Sequence, residues 1–138
     1  MDIIALVTEK EEAKIEKVIS PKEIIQIREV VKQIHVSQKI KQYVVDIISA
    51  SRNPGKFDIK NIKNFVEFGA SPRGSINLIL AARTNAFLNQ RAFVIPDDVK
   101  ETALEVLRHR VTPTFEALAD GSSADDIVKN ILENVKVP

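Results

Sequence analysis

The sequence predicts an all-α fold of four to five helices with at most a minor extended segment. Two observations lead to this prediction. Apolar residues recur every three or four positions through most of the chain, which is the period of an amphipathic helix. Each of these runs also begins at a serine or a proline, residue types that favour the start of a helix.

The composition is that of one ordinary domain. The chain has 138 residues, of which 44% are hydrophobic, and it contains no cysteine, so we expect a core built without disulfide bonds or thiolate metal sites. Its net charge of +1 is too balanced for bulk charge to indicate a nucleic-acid or membrane surface. The first residues are too polar for a signal peptide or a membrane span, and we expect a cytoplasmic location.

A charged lead-in precedes the first predicted helix. Residues 1–19 mix short apolar clusters with the run EKEEAKIEK, and we expect a linker there rather than part of the fold. Ser20 then suits the N-cap position and Pro21 the first helical position, while Glu23 completes a capping box. With apolar residues at helical spacing beyond this point, the pattern predicts a helix over 21–34.

A second helix is predicted to begin after Ser37 and to end near Arg52, where SRNPG interrupts the pattern. Because only three residues separate it from the first helix, we expect the two to form an antiparallel pair or a corner. Residues 53–70 are apolar in places but lack a clean period. We expect a long connection there, with one helical turn at most.

Three further segments complete the predicted fold. The run over 72–89 is apolar on most of its circumference, so we expect this helix at the centre of the domain. Residues 93–95 suggest a short extended piece, and Pro96 begins a helix to about residue 108. Residues 109–122 are expected to be irregular, and Ser123 caps a last helix.

The stretch GASPRGS, residues 69–75, places a cation in the first turn of the predicted central helix. The helices that begin after Ser20, Ile95 and Ser123 have acidic residues there instead, as the helix dipole prefers. An exposed, unpaired Arg73 at this position costs about 0.3–1 kcal/mol. A charge-assisted hydrogen bond to an anion contributes about 1.5–3 kcal/mol, which would outweigh that cost.

Two interpretations of this stretch stay open. In the first, it is an anion-facing helix start, in which Ser71 caps the helix, Pro72 fixes the first φ angle, and Gly69 and Gly74 relieve crowding near the backbone. In the second, Arg73 pairs with a carboxylate such as that of Glu67 or lies in solvent.

The chain alone contains no complete active site. The sequence NPGKF has Gly55 and Lys56 but lacks the earlier glycine and the hydroxyl residue of a phosphate-binding loop. His35 and His109 stand far apart without carboxylates at metal-ligand spacing, so we expect surface or helix-end histidines. No nucleophile motif or singled-out pair of carboxylates is present.

The segment from Ser37 to Lys63 is basic, which raises the alternative of a free-standing helical module that binds protein or nucleic acid. Its cations are spread over a helix and a loop, and no recognition helix with base-reading side chains on one face is evident, so nucleic acid is the less favoured partner. These cations are Lys39, Lys41, Arg52, Lys56, Lys60 and Lys63.

Three stretches together resemble the C-terminal helical lid domain of MoxR-type AAA+ ATPases, the methanol dehydrogenase regulator-like family. They are HVSQKIKQYVVDIISASR, GASPRGSINLILAARTNAFLNQRAFVIPDDVKETALEVLRHRV and GSSADDIVKNILENVKVP. The order and spacing of GASPR, PDDVK and VLRHR make the resemblance specific. It covers residues 20–138, and it implies that these form the lid while residues 1–19 follow a preceding ATPase core.

The resemblance implies a role for Arg73. In AAA+ proteins an arginine at this position of the lid, called sensor 2, reaches the nucleotide phosphates held by the core and couples hydrolysis to lid motion. Ser71 and Pro72 would form the helix start that aims it, and Gly69 and Ala70 would line the approach. The chain departs from the family at Ile95, where a small hydroxyl residue is usual, and at Gly74, where alanine is usual.

The resemblance also implies properties of a longer parent protein. Walker A, Walker B, sensor 1 and the arginine finger would lie in the core, so ATP and Mg²⁺ would be bound mainly there, and this chain would be an excised piece without ATPase activity or a cofactor of its own. The parent would be an ATP hydrolase that forms a ring, with six subunits expected. Family members act as chaperone-like motors that mature partner complexes, often beside von Willebrand factor A proteins.

Overall fold

The computed structural model describes residues 16–138, which form six α-helices and one two-stranded sheet. The helices are α1 (Pro21–Gln33), α2 (Gln38–Arg52), α3 (Pro72–Leu88), α4 (Pro96–Leu107), α5 (Phe115–Ala119) and α6 (Ala124–Asn134), and the strands are β1 (Val66–Phe68) and β2 (Thr112–Pro113). The all-α class is confirmed. Residues 1–15 of the expected linker lie outside the described residues, and 16–19 have no regular secondary structure.

Side-chain caps fix the helix starts that the sequence predicted. The Ser20 hydroxyl accepts from the Glu23 N–H at 3.2 Å, and the Glu23 carboxylate accepts from the Ser20 N–H at 2.7 Å. Ser123 and Asp126 form the same reciprocal pair at α6, and Ser37 caps α2. Each cap satisfies amides that the helix itself leaves without a partner, which is why these boundaries agree to within a residue or two.

The core lies between α2, α3, α4 and α6. α3 packs most extensively against α4, and α2 contacts both of them as well as α6. Most fully buried side chains of these helices are aliphatic. The largest of the buried side chains include the aromatic Tyr43 and the aliphatic Ile47, Leu78, Leu107, Ile127 and Ile131. Their recurrence at three and four positions places one face of each helix inside.

α1 stands at the margin of the domain. None of its residues is buried, and its main contacts are with α3 rather than with α2, so the two helices form the corner and not the antiparallel pair. The connection is held by a single parallel bridge between His35 and Phe93. The His35 N–H donates to the Ala92 carbonyl at 2.9 Å, and the Val94 N–H donates to the His35 carbonyl at 3.0 Å. Of the extended piece expected at 93–95, the structure therefore shows only this one bridge, at Phe93.

The two segments expected to be irregular contain the short elements. Two 3₁₀ turns, Pro54–Phe57 and Lys60–Ile62, precede β1, where one helical turn was expected. β1 pairs antiparallel with β2, and α5 follows at once with Thr114 as its N-cap. The pairing joins positions more than 40 residues apart, which no local pattern predicts.

α3 is central on one face only. Its buried residues, Gly74, Leu78, Ala82 and Ala86, recur every four positions, and three of the four are glycine or alanine. These small residues allow α4 and α2 to approach the helix closely. The opposite face carries Ile76 and Leu80, whose exposed fractions are 59% and 46%. α3 is thus apolar on most of its circumference because it has two apolar faces, one buried and one exposed.

A buried carboxylate fastens α3 to α4. Asp98, in the first turn of α4, is 1% exposed and accepts from both terminal nitrogens of Arg91, at 2.6 and 2.5 Å. It also accepts from the Ile95 N–H at 2.8 Å and from the Asn85 side-chain amide at 3.1 Å. Burial alone would raise the pKa of Asp98, but these bonds outweigh it and hold the pKa below its ordinary value. The N–H of Ile95, which has no capping side chain of its own, is thereby satisfied.

We expect Asp98→Asn to lower the free energy of unfolding of the chain by about 3 kcal/mol at neutral pH, measured by urea denaturation. This is the low end for a buried ion pair that loses one partner, because about a quarter of the Arg91 side chain is exposed. Since the folded pKa of Asp98 is depressed, its contribution is present above the pKa of the unfolded chain and is lost as the pH falls through the folded value. The difference between the two proteins should therefore shrink in acid.

Asp97→Asn is the matched control, because Asp97 lies in the same first turn but is exposed. Its removal should cost no more than about 1 kcal/mol, the size of a helix-dipole contribution. Equal losses in the two variants would contradict the structural role given to Asp98.

Candidate functional site

The start of α3 is pressed against the last turn of α2. A Cβ atom built on Gly69 would lie 2.2 Å from the Ser51 carbonyl oxygen and 2.6 Å from the Arg52 Cα atom. No side chain fits at that distance, so the close approach requires glycine at this position. Gly74 allows a second close approach between α3 and α2, because a Cβ on Gly74 would lie 3.0 Å from Ile48 Cδ1. The crowding expected around both glycines is confirmed.

A buried hydroxyl joins the same two segments. Ser51 is fully buried, and its Oγ donates to the Ile48 carbonyl at 2.7 Å while it accepts from the Ala70 N–H at 3.0 Å. Ala70 is also fully buried, so its side chain faces the core and its amide is already used. Of the five residues predicted to line a ligand, Ala70 therefore contributes by placing the helix start.

Arg73 lies in the first turn of α3 and is exposed. With 3.6 residues per turn, positions 73, 76 and 80 share one face of the helix, so Arg73 heads the exposed apolar face formed with Ile76 and Leu80. Within residues 16–138, Arg73 forms no salt bridge, and Glu67 is not its partner. The carboxylate-pairing interpretation is therefore not supported by the described part of the chain.

The comparison of helix starts changes in one respect. Ser71 occupies the N-cap position of α3, but its side chain accepts no hydrogen bond from the first turn. The hydroxyls of Ser20, Ser37 and Ser123 do cap their helices. α2, however, also has a cation in its first turn, Lys39, and no acidic residue there. A cation at a helix start is thus not by itself distinctive of α3.

The residues at this helix start fit a phosphate group. The Arg73 guanidinium offers several donors in a planar fork that matches phosphate oxygens, and the first turn of α3 adds the positive end of the helix dipole. Magnesium has different needs, since it prefers carboxylate ligands. In residues 16–138, no three histidine or acidic side chains gather where they could hold a metal ion.

The other sequence signals do not converge on a second site. His35 and His109 are both exposed and lie in separate connections, before α2 and after α4. Lys39 and Arg52 lie near opposite ends of α2, about 20 Å apart at 1.5 Å per residue, so the basic segment does not form one compact patch. No helix of the described residues has the length and hydrophobicity that a membrane crossing requires.

Known proteins resemble the chain over most of its length. Residues 60–131 match the family described as the AAA lid domain. Chaperone MoxR1 of Mycobacterium tuberculosis is 36% identical over 122 residues, which cover 88% of this chain and 32% of that protein. Protein MoxR of Methylorubrum extorquens is 33% identical over 105 residues, which cover 72% of this chain and 30% of the relative. The chain thus spans about a third of the length of these curated relatives.

The fold has a close counterpart among solved structures. A crystal structure of a candidate ATPase from Cytophaga hutchinsonii superposes with a TM-score of 0.91 at 29% sequence identity. The match covers 99% of this chain and 42% of the other. The arrangement of helices described above therefore occurs as part of a longer polypeptide.

Two residues that fix the ends of α3 escaped the sequence interpretation. Ser51 follows Val44 and Ile47 at helical spacing, so a polar side chain on the apolar face of α2 was the available signal. Asp98 was assigned only to the helix dipole, because its partner Arg91 lies in a connection that carries no periodic pattern. Both signals are local, but the contacts that give them meaning come from tertiary structure.

We expect Gly69→Ala to lower the free energy of unfolding by about 1–3 kcal/mol, because the added Cβ overlaps the Ser51 carbonyl and the backbone must move. Thermal and urea unfolding of the chain measure the effect. Gly55→Ala is the matched control, since the nearest atoms belong to the flexible Lys63 side chain at 3.4 Å. That variant should lie within about 0.5 kcal/mol of wild type. Equal stability of the two variants would refute the steric requirement at Gly69.

Proposed function

The chain belongs to the AAA lid domain family, of the MoxR type, and we propose that it closes over ATP held by a separate ATPase core. In this proposal Arg73 contacts the phosphates, and Ser71 and Pro72 aim it. The observation that carries the proposal is the position of Arg73 itself. It is exposed in the first turn of a helix whose start is fixed against α2, and it heads an exposed apolar face.

The electrostatics of this arrangement favour a closing motion. An arginine in open water gains little from a phosphate, because the solvent screens the charges. When the apolar face with Ile76 and Leu80 packs against another domain, water leaves the surroundings of Arg73 and the same charge pair becomes stronger. Closure and phosphate contact therefore support each other, which is how a lid would sense the state of the nucleotide.

The core would bind most of the nucleotide. ATP held there would supply the phosphate anion, with its charge partly neutralised by Mg²⁺. Arg73 then adds a positive charge from the lid side, where it can stabilise negative charge that develops during hydrolysis. Gly69 and Ala70, the remaining residues of the site, fix the position of the helix start against α2.

A ring is proposed for the longer protein, with six subunits and with lid contacts to the neighbouring subunit. We also propose chaperone-like remodelling or maturation of partner complexes, with von Willebrand factor A proteins as candidate partners, and a cytoplasmic location. Support for the chaperone role comes from the relative in Mycobacterium tuberculosis, which is named as a chaperone.

We expect Arg73→Ala, in a full-length ATPase that carries this chain as its lid, to reduce ATP turnover by about 10- to 100-fold. This is the equivalent of one lost charge-assisted hydrogen bond. The fold should persist, because the Arg73 side chain is exposed. Steady-state hydrolysis, with circular dichroism as the folding check, measures both effects.

Arg28→Ala provides the control, because Arg28 is an exposed arginine on a different helix, α1. Its turnover should match wild type. Wild-type turnover in a folded Arg73→Ala protein would exclude the phosphate-sensing role.

The 138-residue chain alone should hydrolyse no ATP and bind nucleotide with a Kd of about 1 mM or weaker. A millimolar Kd corresponds to about 4 kcal/mol, which is more than one charge-assisted hydrogen bond supplies. Isothermal titration calorimetry with ATP tests this expectation. Binding in the micromolar range would show that the lid holds more of the nucleotide site than Arg73.

A further inference from the structure

Ser51 occupies an unusual place for a hydroxyl residue. In the described chain, Ser51 and Asp98 are the buried polar residues besides Tyr43, whose hydroxyl is also buried. The Ser51 hydroxyl donates to the Ile48 carbonyl within α2. The same oxygen accepts from the N–H of Ala70, which lies 19 residues further along the chain. A hydroxyl that both donates and accepts in the core is fully satisfied, and it ties two separate segments together.

The segment that Ser51 holds is the one that carries Arg73. Ala70 lies three residues before the arginine, and Ser71 contributes no side-chain cap to the helix. The register of the first turn of α3 therefore depends on tertiary contacts, namely the hydroxyl bond to Ala70 and the backbone contact at Gly69. Removal of the hydroxyl would leave the Ala70 N–H buried without a partner, so the loop would shift to satisfy it.

We propose that Ser51 is a positioning residue for Arg73. The inference rests on the proposed function, in which Arg73 contacts phosphate. A displacement of about 1 Å in a charged group that serves a reaction is enough to cost up to about 100-fold in rate. Ser51 is fully buried beneath the helix start and cannot reach a ligand itself, so its effect on turnover would pass through the arginine.

A double-mutant cycle in the full-length ATPase tests this coupling. We expect Ser51→Ala to lower ATP turnover by about tenfold when Arg73 is present and to cause no further loss in the Arg73→Ala background. Ser51→Thr, which keeps the hydroxyl, should recover most of the turnover. Ser49→Ala is the matched control, because Ser49 lies two residues earlier on α2, is half-buried and makes no side-chain bond to the loop before α3.

Hydrogen exchange on the 138-residue chain gives a readout that does not depend on hydrolysis. The amide of Ala70 should exchange about tenfold faster in Ser51→Ala than in wild type, while Ser49→Ala leaves it unchanged. Core amides of α6 should keep their protection, which separates local opening from general unfolding.

The outcomes are distinguishable. Losses in turnover that multiply in the double mutant, or an unchanged exchange rate at Ala70, would overturn the positioning role of Ser51. If Arg73→Ala alone left turnover unchanged, the proposed function would fail, whereas faster exchange at Ala70 would still assign the placement of the helix start to Ser51.

Discussion

The contact between Gly69 and the last turn of α2 is the constraint on which the site depends. Because a Cβ atom on Gly69 would lie only 2.2 Å from the Ser51 carbonyl oxygen, the two backbones lie closer than any side chain permits. This approach brings the Ala70 amide within reach of the Ser51 hydroxyl, and it directs the chain into α3 at a fixed point. A glycine and a serine, neither of which adds much apolar burial, therefore determine where Arg73 stands.

The other end of α3 is held by different physics. Asp98 is buried and paired with Arg91 and Asn85, so it joins the C-terminal half of α3 to the start of α4 through charge and hydrogen bonds. One anchor is steric and the other is electrostatic, and both act on the same helix. Because α3 is fixed at both ends and along its small-residue face, its position does not depend on burial of Ile76 and Leu80.

The helices could be predicted from the sequence to the extent that their signals are local. Caps such as Ser20 with Glu23 and Ser123 with Asp126 are complete within four residues, and the structure has the helices where these pairs indicate. β1 and β2 could not be predicted this way, because their ladder is only two or three residues long and joins distant segments. α5 has only five residues, too few to show a helical period.

The site shows the same division between local signals and tertiary contacts. The sequence singles out Arg73 as a candidate, although Lys39 shows that a cation at a helix start is not a sufficient sign. Its surroundings required the fold, since the Ser51 bond spans 19 residues. The proposed closure also gives a reason for a charged residue beside Ile76 and Leu80. A guanidinium interacts most strongly with an anion where water is excluded, and an apolar surface that packs on closure excludes it. In the proposed closure, the exposed apolar face and the arginine would act together when a second domain covers both.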